Sequence, residues 1–76
     1  MAALKIDGRF VTRDATGVAK VRLEPGHHLM AWRVYGAPES DYSVGILAPP
    51  EVAWKPEPPM RTDGTGFGAN EFEFDL

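Results

Sequence analysis

Glycine and proline are distributed so that they exclude long helices along the whole chain. Eight glycines and seven prolines are spread through 76 residues. No stretch of ten or more residues without them shows apolar side chains at the three-and-four spacing of an amphipathic helix. Alternation of apolar and polar residues is common instead, and a period of two is typical of strands. The sequence therefore predicts an all-β fold.

Three strands are predicted in the first half of the chain, because alternating residues there are bounded by turn residues. They are residues 3–12, 18–24 and 27–35. In the first strand, Leu4, Ile6 and Phe10 share one face if the alternation continues unbroken through Gly8. The third carries apolar residues on both faces, so we expect it to be a central strand with Trp32 in the core.

The second half of the chain predicts further strands around a proline-rich segment. Residues 42–48 predict a fourth strand, and residues 71–76 alternate strictly between apolar and acidic side chains. Residues 48–61 hold five prolines and are expected to form an edge or an extended polyproline segment. Residues 62–70 are expected to form a Gly-rich loop. The whole chain, 1–76, then predicts one small antiparallel β-sandwich or open barrel of five to six short strands.

Composition excludes several classes of protein. The net charge is −3 and the basic residues are scattered, so the basic patch of a nucleic-acid-binding protein is absent. There is no cysteine for disulfides or thiolate metal sites. The apolar runs are too short to span a membrane. The N-terminus lacks the apolar stretch of a signal peptide, so we expect a complete chain to be cytoplasmic and an excised accessory domain to be extracytoplasmic.

The adjacent histidines His27 and His28 are the first candidates for chemistry. Neighbouring residues on a strand point to opposite faces, so the two rings do not readily chelate one ion. Zinc usually takes three or four ligands, and there is no third histidine. We expect His27 to be solvated in the turn and His28 to lie at the sheet margin. With no nucleophile or cofactor motif either, we assign no catalytic, cofactor or metal site and expect no enzyme.

Contact with a partner or a glycan is the remaining possibility for a functional surface. Pro56, Pro59 and Arg61 match the PxxPxR spacing that proline-binding domains recognise. A linker laid over the sandwich is the simpler explanation of the same spacing. Trp54 is a candidate for exposed aromatic contact, with packing against the sheet as the alternative. Phe67, in the Gly-rich loop, completes the set of candidate contact residues.

Part of the chain resembles a known family. "IDGR" at residues 6–9 and "VRLEPGHHLMAWRVYG" at residues 21–36 are similar to the strand and turn elements of the bacterial PEGA-type repeat. The resemblance covers residues 4–36. The chain departs from that pattern at "DATGVA", and its second half has no counterpart there. A more general likeness is to immunoglobulin-like β-sandwich accessory domains of bacterial surface proteins. Either resemblance implies a non-catalytic module, often extracytoplasmic, and transfers no functional residue.

Three hypotheses of function follow. The first is a structural or protein–protein interaction module that associates with a protein partner or with itself, because so small a core without disulfides benefits from a partner. The second is a carbohydrate-binding module that uses exposed aromatic residues. The third is a small metal-binding or enzyme-associated domain.

Overall fold

Two antiparallel sheets form the fold, and they are not closed into a barrel. The computed structural model describes residues 2–76. Its strands are β1 (Ala2–Ile6), β2 (Arg9–Phe10), β3 (His27–Tyr35), β4 (Asp41–Tyr42), β5 (Met60–Arg61) and β6 (Phe67–Asp75), and a 3-10 helix spans Pro50–Val52. The larger sheet has the order β2-β1-β3-β6, and β4 pairs with β5. The predicted all-β fold is confirmed, and the layers are compatible with a small β-sandwich.

The central strand of the larger sheet is β3. It pairs along its length with β6 and over five residues with β1. Its alternate residues His28, Met30 and Trp32 are buried. Residues directly opposite in an antiparallel pair share a face, so Leu4 of β1 and Phe72 of β6 lie on the same inner face. The prediction of a central strand with Trp32 in the core is confirmed.

The second half of the chain covers this inner face. Trp54 forms an isolated bridge with Ile46, and its ring stacks on Phe72 with centroids 4.1 Å apart and planes inclined by 11°. Tyr42 of β4 packs directly on the backbone of β6, where a Cβ at Gly68 would lie 2.8 Å from the tyrosine ring. Aromatic rings from the second half of the chain therefore cover the inner face of the larger sheet.

The first predicted strand is a hairpin. The chain reverses at Asp7 and Gly8, whose φ angles are 53° and 81°. Positive φ at both central residues is the pattern of a type I′ turn, which Asp-Gly favours. As a result, Phe10 pairs with Lys5 and lies on the opposite face from Leu4, with 71% of its surface exposed.

Two other predicted strands are shorter or absent. Residues 18–24 form no strand despite their alternation. Residues 42–48 contribute only the end of β4 and the bridge at Ile46. Alternation makes a segment compatible with a strand, but the strand forms only where a neighbour supplies hydrogen bonds. Both sides of β3 are already occupied, by β1 and β6.

The proline-rich and glycine-rich segments also differ from expectation. Residues 48–61 contain the 3-10 helix, the bridge at Trp54 and strand β5 as well as irregular backbone. The loop predicted over residues 62–70 ends early, because β6 begins at Phe67. Its last four residues are drawn into the sheet by pairing with the end of β3.

Candidate functional site

His28 is buried and both of its ring nitrogens are engaged. Nδ1 lies 2.6 Å from Oδ2 of Asp7, and Nε2 lies 2.7 Å from the carbonyl oxygen of Glu24. The other oxygen of Asp7 accepts a hydrogen bond of 2.9 Å from the backbone N–H of Leu29. Since both partners of the ring are acceptors, the protonated imidazole, which donates from both nitrogens, fits this site. The ring therefore ties the first hairpin and the segment before β3 to the sheet.

The electrostatics agree with this geometry. The hydrogen bond that the His28 ring donates to Asp7, followed by the one that it donates to the Glu24 carbonyl, raises the pKa of His28 above its usual value. The same hydrogen bond, together with the Leu29 amide, lowers the pKa of Asp7. Neither nitrogen is left to act as a base or a metal ligand, so the Asp7–His28 pair is a structural clamp.

His27 lies on the other face of β3 and is exposed. Its Nδ1 is 2.9 Å from Asp75 Oδ1, and its Nε2 is 3.6 Å from Glu73 Oε2. The two histidines therefore point to opposite faces, as strand alternation predicts. Within residues 2–76, no group of three or more His, Cys, Asp or Glu residues is arranged to hold a metal ion.

The five candidate contact residues do not meet on one surface. Trp54 is half-buried on the inner face, where its ring also lies 6.2 Å from that of Trp32. Phe67 lies on the outer face, with its ring 5.0 Å from that of Tyr35. The inner-layer position of Trp54 fits the packing alternative.

The PxxPxR segment is likewise built into the fold. Pro56 is half-buried and Pro59 is exposed. Arg61 belongs to β5. Its guanidinium donates to the carbonyl of Glu39 and lies 3.7 Å from Asp41.

Two loops share one sequence motif that was not recognised from the sequence. Asp14 and Asp63 each begin an Asp-x-Thr-Gly segment, and in each loop Oδ1 accepts hydrogen bonds from the backbone and hydroxyl of the threonine two residues on. These bonds lower the pKa of both carboxyl groups. The glycines, Gly17 and Gly66, have φ of 84° and 86°. The repeat of "DATG" and "DGTG" in the sequence is the signal that identifies these ordered turns.

The long strand β6 lies at the edge of the larger sheet. Leu76 exchanges two backbone hydrogen bonds with Gly26, of 2.8 and 3.0 Å, and the Gly36 N–H donates to the Gly66 carbonyl at 2.8 Å. Hydrogen-bonded and non-hydrogen-bonded pairs alternate along an antiparallel ladder. The even-numbered residues of β6 therefore bond to β3, and the backbone groups of the odd-numbered residues point away from the sheet.

We call this outward backbone, from Ala69 to Asp75, the β6 edge. The Glu71 N–H is capped by the side chain of Asn70 at 2.8 Å. Among residues 2–76, no outward backbone hydrogen bond is formed by Ala69, Glu73 or Asp75. The side chains of Glu71, Glu73 and Asp75 are exposed on the outer face. Sequence alternation predicts that acidic face, whereas the free edge depends on strand order.

Comparison with protein families, curated proteins and solved structures gives no match to this chain. In the part of the chain that the structure describes, no helix has the length and hydrophobicity needed to cross a lipid bilayer.

Proposed function

We propose that this chain is a non-catalytic interaction module that binds an extended protein segment by strand addition at the β6 edge. The observation that carries the proposal is the row of outward backbone groups at Ala69, Glu73 and Asp75, which have no partner among residues 2–76. Strand addition supplies main-chain hydrogen bonds to such an edge, and side chains on either face give specificity.

Charge defines the chemistry of the segment. Acidic side chains on an edge strand discourage pairing with an identical strand, because like charges would lie directly opposite each other. Glu71, Glu73 and Asp75 present such a row on the outer face. A strand with lysine or arginine at every second residue would instead place opposite charges across the new pair. The β6 edge therefore favours a basic, alternating segment.

The other hypotheses receive less support from the geometry. An enzyme or metal site that uses the histidines is disfavoured because both nitrogens of His28 are engaged within the fold. Carbohydrate stacking on Trp54 is disfavoured because its ring is stacked on Phe72. The resemblance of residues 4–36 to bacterial accessory domains agrees with an interaction role.

The test is a binding titration with labelled extended peptides. Two peptides of about ten residues, a length that matches strand β6, alternate threonine with lysine or threonine with glutamate. Fluorescence anisotropy at low salt should show binding of the basic peptide only. That binding should weaken as salt is added, because salt screens exposed charges.

Two variants at one position distinguish the contribution of the backbone hydrogen bond to binding from that of the side-chain charge. Glu73→Pro removes an outward N–H without breaking the ladder to β3, which is where an edge strand tolerates proline. Glu73→Gln keeps that N–H and removes the charge. We expect Glu73→Pro to abolish binding and Glu73→Gln to weaken it, with circular dichroism showing that both variants fold. No binding of the basic peptide at millimolar concentration, or equal binding by wild type and folded Glu73→Pro, would overturn the proposal.

A further inference from the structure

We infer that the segment bound at the β6 edge is residues 18–24 of a second copy of the chain. Two copies would then each donate this segment to the other, which is the reciprocal contact of a two-fold dimer. The inference rests on the proposed function, because it names the occupant of the same edge.

The segment of residues 18–24 contains backbone N–H and C=O groups that could pair with another strand. The segment is anchored at Val18 by the Asp14 loop and at Glu24 by the bond from His28 to its carbonyl. Between these anchors, residues 19–23 form no hydrogen bond with any described residue. The sequence "VAKVRLE" alternates as a strand does, yet no neighbour is present to complete it.

The polar face of the segment matches the outer face of β6. Lys20 and Arg22 are two positions apart in the sequence and both are exposed. Glu71 and Glu73 have the same spacing on the edge strand. An antiparallel register that places Lys20 opposite Glu73 also places Arg22 opposite Glu71, so both pairs have opposite charges.

The same register also matches the apolar faces. Val21 is 41% exposed in the isolated chain, and its side chain points away from those of Lys20 and Arg22 if the segment is extended. Opposite Val21 in this register is Phe72, on the inner face, and Ala19 lies opposite Phe74. One register therefore satisfies charge on one face and apolar contact on the other. A register shifted by one residue would reverse both matches.

A charge-swap experiment tests the inference by sedimentation from about 10 µM to about 1 mM, a range that covers weak and transient association. Lys20→Glu/Arg22→Glu leaves both contact surfaces acidic, and Glu71→Lys/Glu73→Lys leaves both basic. We expect wild type to dimerise and each double variant alone to dimerise at least about tenfold more weakly, because like charges now face each other. An equimolar mixture should regain association, since each variant then meets an opposite charge.

The control is Arg9→Glu/Lys55→Glu, which makes the same charge change at two exposed residues outside the proposed contact. It should dimerise as wild type does. In the dimer, the amide proton of Glu73, which lies opposite Lys20, should also gain protection from hydrogen exchange as concentration rises.

The outcomes distinguish this inference from the proposed function. A wild-type chain that stays monomeric at about 1 mM while it still binds the basic peptide overturns the inference and leaves the function standing. A dimer that survives both charge reversals, or a mixture that fails to restore association, also overturns it. Failure of both the peptide titration and the dimerisation overturns the two together.

Discussion

Truncation of Trp54 tests whether the aromatic layer holds the second half of the chain against the larger sheet. The ring stacks on Phe72 at 4.1 Å and also lies 6.2 Å from Trp32. Removing a fully buried tryptophan typically costs about 3–5 kcal/mol, and half-burial reduces the loss to about 2–3 kcal/mol. A domain of this size has a total stability of only about 4–11 kcal/mol. Trp54→Ala should therefore lower the melting temperature by about 10–20 °C.

The assay is thermal unfolding followed by far-ultraviolet circular dichroism, with urea unfolding as a second measure. Leu47→Ala is the matched control, because Leu47 is 76% exposed and its truncation should change stability by less than about 0.5 kcal/mol. If Trp54→Ala melts within about 3 °C of wild type, the free-energy loss is under about 1 kcal/mol and the aromatic layer does not hold the second half of the chain against the larger sheet.

Three further predictions concern the clamp, a loop glycine and a core tryptophan. Because folding raises the pKa of His28 above its usual value of 6.5, its contribution to stability is complete below pH 6.5 and is lost as the pH rises through the folded-state pKa. The melting temperature of wild type should fall over that upper range, and His28→Gln should flatten the fall while the exposed-residue control His27→Gln should not. Gly66→Ala should destabilise by more than about 2 kcal/mol in urea unfolding, since φ is positive there and a Cβ would overlap a backbone carbonyl. Gly64→Ala, where a Cβ meets nothing within 4 Å, should be near neutral, and equal effects would contradict the reasoning. Trp32→Phe should lower the free energy of unfolding by less than about 2 kcal/mol in the same assay. The substitution loses packing, but it also removes a buried indole N–H that has no hydrogen-bond partner among residues 2–76, and this partly offsets the loss.

Local pattern was sufficient for the two long strands. Residues 27–35 form β3 with the predicted bounds and inner face, because nine residues without glycine or proline alternate between two turns. The acidic and aromatic alternation of residues 71–75 is likewise found in β6. Alternation wrongly predicted one continuous strand through Asp7 and Gly8, where the chain instead makes the Asp-Gly turn that the family resemblance implies.

Long-range contacts decided the features that matter for the candidate site. His28 meets Asp7 across 21 positions of sequence, and no local pattern specifies that such a histidine is a clamp. Trp54 packs on Phe72 for the same reason, since only the folding of the proline-rich segment over the larger sheet brings the rings together.

The sequence by itself determined the fold class, the central strand and the acidic face of β6, because each depends on residue type and a period of two. Only the tertiary structure decided which alternating segments become strands. Residues 18–24 and 71–75 carry equally regular patterns, yet just the second gained a neighbour in the sheet. A strand depends on hydrogen bonds from a partner, and the order β2-β1-β3-β6 leaves one edge of β6 and the whole of residues 19–23 without a strand partner.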